Sequence, residues 1–157
     1  MTAGSVTIKQ IGLEDLLKST SNPWRNLKAE ILAEKDPVKQ LGMRKQGTLA
    51  EYYLGSVHAI AMTGEIVTAS GTGSQLAPYA YSSSDIIWIA GAQKIVPTLE
   101  EGMRRLREYV HPLEDQRMKS VGVSAGSMMG KILIFEREAP YLRRNVNLIL
   151  VNKVLGY

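Results

Sequence analysis

The stretch Asp85-Ile86-Ile87-Trp88-Ile89-Ala90 decides the fold. Ile86 through Ile89 give water no polar face, so a strand here is buried on both sides. Continuous apolar runs of this length mark parallel strands covered by helices. Downstream, Pro97 opens an amphipathic helix with Leu99, Met103, Leu106 and Val110 along one stripe. His111-Pro112 breaks it, and a short helix follows to Lys119. Val121 to Gly130 is a small-residue loop, and two late strands follow, Ile132 to Phe135 and Val146 to Val151.

Upstream, Val57 to Ala61 and Glu65 to Ala69 read as two strands joined by the tight turn Met62-Thr63-Gly64. Ser70-Gly71-Thr72-Gly73 is a loop, and Ser74 begins a helical stretch toward Tyr81. Before Gly55 the pattern is helical. Ser5 or Thr7 caps a helix to about Lys18. Asn22-Pro23 opens a second that buries Trp24, Leu27 and Ile31. Asp36-Pro37 starts a third that runs, past Gly42 and Gly47, to Tyr53. Helices alternate with strands, no period repeats and no linker intervenes. The expectation is one α/β domain over residues 1–157, a three-layer sandwich with a mostly parallel central sheet.

Composition narrows the function by exclusion. Hydrophobic residues make up 45% of the chain and charged residues 22%, an ordinary globular balance. The absence of cysteine removes disulfides, thiolate metal sites, iron–sulfur ligation and cysteine nucleophiles, and fits a reducing compartment. The two histidines, His58 and His111, lack metal-ligand spacing, so neither a metal nor a resident cofactor is expected. Net charge is +4, from 19 Lys and Arg against 15 Asp and Glu. That excess favours small anions, without the clustered cations and interleaved aromatics of a nucleic-acid binder. No apolar run approaches the roughly 20 residues of a membrane span. Met1-Thr2-Ala3-Gly4-Ser5 lacks a signal-peptide layout. A cytoplasmic protein with neither nucleic-acid nor membrane partners is therefore expected.

The best-marked chemistry is Gly71-Thr72-Gly73-Ser74. A glycine-rich bend before a helix bares backbone N–H groups to a phosphate or carboxylate. The spacing is neither a Walker loop nor G-x-G-x-x-G, and an ordinary strand-to-helix turn has the same look. Gly4-Ser5-Val6-Thr7 offers a second such nest, with plain helix capping as the alternative. Lys94, after the buried strand, stands where open α/β sheets gather ligands. His58 and Glu65 are the weak candidates for acid–base chemistry. Gly122-Val123-Ser124-Ala125-Gly126 matches the hydrolase elbow G-x-S-x-G, but helix precedes it, strand follows it, and both histidines lie upstream of Ser124. It is rejected.

Several segments carry a wider likeness: Gly4-Ser5-Val6-Thr7 with Ile11-Gly12-Leu13; Ala59-Ile60 with Thr63-Gly64-Glu65-Ile66; Gly71-Thr72-Gly73; Lys94-Ile95-Val96; Leu99-Glu100 with Arg104-Arg105; and Leu150-Val151-Asn152 with Leu155-Gly156-Tyr157. In order and spacing they resemble the LUD domain, the family of LutC-type lactate-utilisation proteins. The resemblance implies the fold of the ribose-phosphate isomerase, glucosamine-phosphate deaminase and CoA-transferase superfamily, lacking that fold's usual first strand. It also implies anionic ligands at the carboxyl ends of the strands and iron–sulfur proteins as partners, and for the missing strand either a truncated chain or a sheet completed by a partner subunit, as in a homo-oligomer. The chain departs from the family pattern at His58, Thr68, Ser70 and Ser74-Gln75, where asparagine, asparagine, aspartate and Asn-Arg are common. The missing arginine takes away a side-chain partner for phosphate. The family's cysteine cluster is also replaced within Ser120–Gly130.

Three readings stay open on these residues. The first is a divergent LUD protein binding a small phosphorylated or CoA-like metabolite in lactate or organic-acid utilisation, through Gly71, Thr72, Gly73, Ser74, Lys94, Ser5 and Thr7. The second is a non-catalytic subunit or assembly module that keeps the fold alone. The third is a sugar-phosphate isomerase, which requires a carboxylate such as Glu65 within hydrogen-bond reach of the bound sugar.

Overall fold

The computed structural model describes residues 1–19, 21 and 23–157. Its helices are α1 (Val6–Gln10), α2 (Leu13–Lys18), α3 (Leu27–Ala33), α4 (Pro37–Gln46), α5 (Leu99–Arg105) and α6 (His111–Ser120). Its strands are β1 (Tyr52–Gly55), β2 (Ala59–Ala61), β3 (Ile66–Ser70), β4 (Asp85–Gly91), β5 (Ile95–Val96), β6 (Lys131–Phe135) and β7 (Asn145–Val151). One sheet is wholly parallel, in the order β1-β4-β7; the other is mixed, in the order β5-β2-β3-β6. The architecture is α/β with mostly parallel strand pairing and helices packed on it, as a three-layer sandwich requires.

Strand β4 behaves as its sequence demands. Ile86, Trp88 and Ala90 are wholly buried on one face, and Ile89 is buried on the other. The hairpin forms, with Gly64 at φ +119° turning β2 into β3, but its first strand begins at Ala59 rather than Val57. In β2 and β3 the pleat divides the side chains between two cores. Ile60 and Ile66 join Tyr53, Tyr79 and Trp88, while Ala59 and Val67 join Leu106 and Val110 beneath α5. Both faces of this sheet are therefore covered.

The helical N-terminal reading needs four corrections. The first helix is divided at Gly12, whose φ of +74° no helix accommodates. Asn22 lies outside the described residues; α3 begins at Leu27, capped by Asn26, and Trp24 is 60% exposed. Asp36 caps α4 through Val38 and Lys39 as expected, but that helix ends at Gln46. Tyr52–Gly55 is instead strand β1, drawn into extended form by parallel pairing with β4, Tyr53 opposite Ile86. The start of the chain also runs beside β1: Ala3 N–H donates to the Leu54 carbonyl, and Leu54 N–H donates to Met1. A strand-like segment thus occupies the edge of β1, where the resemblance implied a missing strand.

His111-Pro112 does not break the later helix. Helical structure is continuous from α5 to α6 because Leu106–Val110 widens into a π turn. Proline lacks an N–H and its ring collides with the carbonyl four residues back; a widened turn just before it relieves both conflicts.

Candidate functional site

The site forms where two chain passes separate. Strands β1 and β2 belong to one pass, β4 and β5 to the other. The offset between paired residues grows from 33 at Gly55 and Trp88 to 35 at Ile60 and Ile95. The two extra residues are taken up by the turn Ala92–Lys94, and opposite it Ser56-Val57-His58 leaves the strand. Parted strands bare backbone groups that must find other partners. Lys94 fills the gap. Its ammonium, on a side chain only 2% exposed, donates to Thr7 Oγ1 (3.1 Å), Ser56 Oγ (3.0 Å) and the Val57 carbonyl (3.0 Å). All three acceptors are neutral, and among the described residues no carboxylate pairs with it. Burial, with Arg105 nearby, pushes its pKa down to about 8.

His58 lies beside this lysine. Its Nδ1 accepts the Ala69 N–H at 3.0 Å, so the neutral ring carries its proton on Nε2. Burial, reinforced by Lys94 and opposed by Glu114, holds its pKa at about 4. Arg105 Nε donates to the His58 carbonyl, and its Nη2 is buried without a partner. Because the unfolded chain binds a proton near pH 6.5 that the folded ring refuses, folding weakens as pH falls from 6.5 toward 4. We expect a loss of roughly 2 kcal/mol over that range, reduced for water reaching a half-buried ring. Between pH 6.5 and 5.5, above the range where Glu14, Glu114 and Asp115 begin to matter, a His58→Gln chain should hold its urea midpoint better than the unaltered protein.

Lys94, Thr7, Ser5, His58 and Gly71 line one cleft of about 760 Å³. Five of the expected site residues are thus brought together. Ser5 itself caps α1, its Oγ accepting the Ile8 N–H, so Gly4-Ser5-Val6-Thr7 serves the helix and supplies the cleft wall. Thr7 Oγ1 also donates to the Leu155 carbonyl. Gly156 packs against it with φ +58°, where a Cβ would lie 2.5 Å from that hydroxyl oxygen, so only glycine fits.

Apart from Gly71, the glycine loop stands away from the cleft. Thr72, Gly73 and Ser74 lie outside the cleft wall. The Gly73 amide donates to Ser70 Oγ (3.0 Å) and the Ser74 amide to Thr72 Oγ1 (3.3 Å), so neither is free for an anion. The Gly73 carbonyl accepts from the N–H groups of Leu76 and Ala77, so the turn that leads into the following helical stretch begins at Ser74 as read. Gly71 is covered by the late loop, for a Cβ on Gly130 would sit 2.2 Å from the Gly71 oxygen. Glu65 is also set apart. It belongs to the hairpin turn and bonds Thr63, four strand positions or roughly 13 Å from Ala69 at the cleft.

The opposite wall was not legible in the sequence. It comes from α6 and the last residues: Glu114 accepts both prongs of Arg117 (2.7 and 2.6 Å) and the Tyr157 hydroxyl (2.5 Å). Burial raises the Glu114 pKa, but these hydrogen bonds outweigh it and hold the carboxyl below its usual range. Burial, with the same contact second, pushes Tyr157 up to about 12. His111 stands on this wall too, with Nε2 on the Ser127 carbonyl. His111, Glu114 and Arg117 recur every three residues, which was the one available signal.

A family model described as LUD domain matches residues 1–134. No curated protein and no solved structure matches the chain.

Proposed function

The chain belongs to the LUD domain family, and from that premise we propose that its cleft binds an anionic metabolite of the phosphorylated or CoA-like class, in the setting of lactate or organic-acid utilisation beside iron–sulfur proteins. The observation that carries this reading is Lys94: a buried cation held by neutral oxygens, with no carboxylate among the described residues to neutralise it, in the wall of an open cleft. Lys9, Lys28 and Arg117 also line the cleft, against Glu14 and Glu114, leaving four cations to two acids. The His58 Nε2–H adds a neutral donor. An anion entering here is drawn by the Lys94 charge, whose three N–H groups stay on Thr7, Ser56 and Val57, and no buried carboxylate has to be displaced.

A thermal-shift series with phosphate, nucleotides, CoA esters and lactate tests it. A ligand at 100 times its Kd should add about 2.7 kcal/mol of stability. Lys94→Met should remove that gain, while Glu65→Gln, outside the cleft, should keep it. The same Lys94 variant has a second signature. A lysine with lowered pKa leaves the folded protein short of a proton between about pH 8 and 10.5, so stability rises with pH once above 8. Above pH 10 the raised Tyr53 and Tyr157 reverse the trend. Between pH 8 and 10 the rise should be clearly smaller in Lys94→Met than in the unaltered chain, since only Lys28, whose pKa burial also lowers, still contributes there. A flat profile in both would remove the buried cation from the argument.

The assembly-module reading has its own support in the occupied amides of Gly73 and Ser74. It predicts no stabilisation by any anion in the series. The isomerase reading lacks a base. It needs a carboxylate free to take a proton, yet Glu114 is held by Arg117 and Tyr157, Glu14 pairs with Lys18, and Glu65 is remote.

A further inference from the structure

Strand β7 is an edge. Through all seven residues it pairs with β4, from Asn145 opposite Asp85 to Val151 opposite Gly91, and among the described residues no strand pairs with its other side. The remaining edges are each limited: β1 is bordered by residues 1–3, β5 is two residues long, and β6 carries Lys131. Soluble proteins guard long edges with charge, proline or a bulge. From Asn145 to Asn152 this chain has no charged residue and no proline, and no backbone twist to positive φ. Ile149 and Leu150 are each 49% exposed there.

The backbone fixes which groups the edge offers. Asn145 N–H points inward, to the Ser84 carbonyl at 2.9 Å. Direction alternates along a strand, so Asn147, Ile149 and Val151 also face β4, and Val146, Leu148 and Leu150 present both N–H and C=O outward. Two copies related by a twofold axis would pair antiparallel, the interface being its own complement. Only the register with Leu148 against Leu148 uses all three outward residues of both copies, since it sets Val146 against Leu150 and Leu150 against Val146. Those contacts are apolar throughout, and they extend the core face on which Val146 and Leu148 already pack. An uncharged strand also meets no like charge in its own copy. We infer that β7 is the dimer interface of this chain, joining two three-stranded parallel sheets into one of six strands.

Sedimentation of the unaltered protein should give twice 17.3 kDa. Leu150→Pro is the decisive variant, because proline at an outward N–H removes no bond within the chain but blocks the neighbour. It should sediment as a single chain with a retained melting transition. A dimer that persists in this folded variant, or an unaltered protein of single-chain mass at hundreds of micromolar, overturns the proposal. Leu148→Cys tests the register independently, since the chain has no other thiol. Opposed residues in such a pair lie about 5.5 Å apart, inside disulfide range. Mild oxidation should cross-link Leu148→Cys and leave Met62→Cys, a more exposed thiol elsewhere, uncoupled. Should Leu150→Pro fail to fold, that comparison decides alone, and no selective cross-link at 148 refutes the interface.

Discussion

Replacing Arg144 with leucine is expected to cost about 3–5 kcal/mol, the range for breaking a buried ion pair from one side. The side chain is 5% exposed and its guanidinium is fully committed. Nε donates to the Ser83 carbonyl; Nη1 donates to Ala80 and to Glu138 at 2.8 Å; Nη2 donates to the carbonyls of Pro78 and Tyr79. Those carbonyls belong to the π-helical turn Pro78–Ser82 and the residue after it, whose end lacks partners of its own. A cation there satisfies the carbonyls and meets the negative end of the turn. Leucine has the volume but no donor, leaving four carbonyls and Glu138 unsatisfied at once. Lysine should recover little, since a single ammonium cannot reproduce the planar fork. Urea unfolding of the leucine, lysine and unaltered chains measures all three. A loss under 1 kcal/mol for leucine would show that water replaces the guanidinium freely.

The elements legible in the sequence are those whose cause is local. Asp36-Pro37 sets its helix start through two backbone amides within three residues. The run around Trp88 has enough apolar residues to demand burial on both faces, wherever it lies. Strand β1 has no such signature: Tyr52–Gly55 is too short for its period to separate strand from helix. Its form comes from β4, more than thirty residues away. The candidate site divides in the same way. Lys94 follows from its position after a buried parallel strand. In the glycine loop a motif counts N–H groups without counting the hydroxyls, Ser70 and Thr72, that take them up. Glu114 and Tyr157 meet across 43 residues of sequence, and no spacing announces a contact of that kind.

The second large effect concerns the seam between the two sheets. Trp88 stands on β4 in the parallel sheet, yet its ring meets Phe135 of β6 in the mixed sheet, edge to face at 5.2 Å. On its other side it meets Tyr79 at 5.3 Å, and Tyr79 meets Tyr53 of β1 at 5.6 Å. This file of edge-on rings is the apolar tie across a junction where the backbone ladder itself is interrupted between Gly55 and Ala59. Truncating Trp88 to alanine should cost about 3–5 kcal/mol, or roughly 10 °C in Tm for a chain of this size. Its position implies more than lost stability. With the tie removed, the two sheets should loosen first at the seam, which is where Lys94 and His58 form one wall of the cleft. Hydrogen exchange in the alanine variant should therefore rise at Val57, His58 and Ala69 more than within β4 and β7. Uniform acceleration across both sheets would instead mean that the protein unfolds as one unit and that Trp88 contributes packing alone.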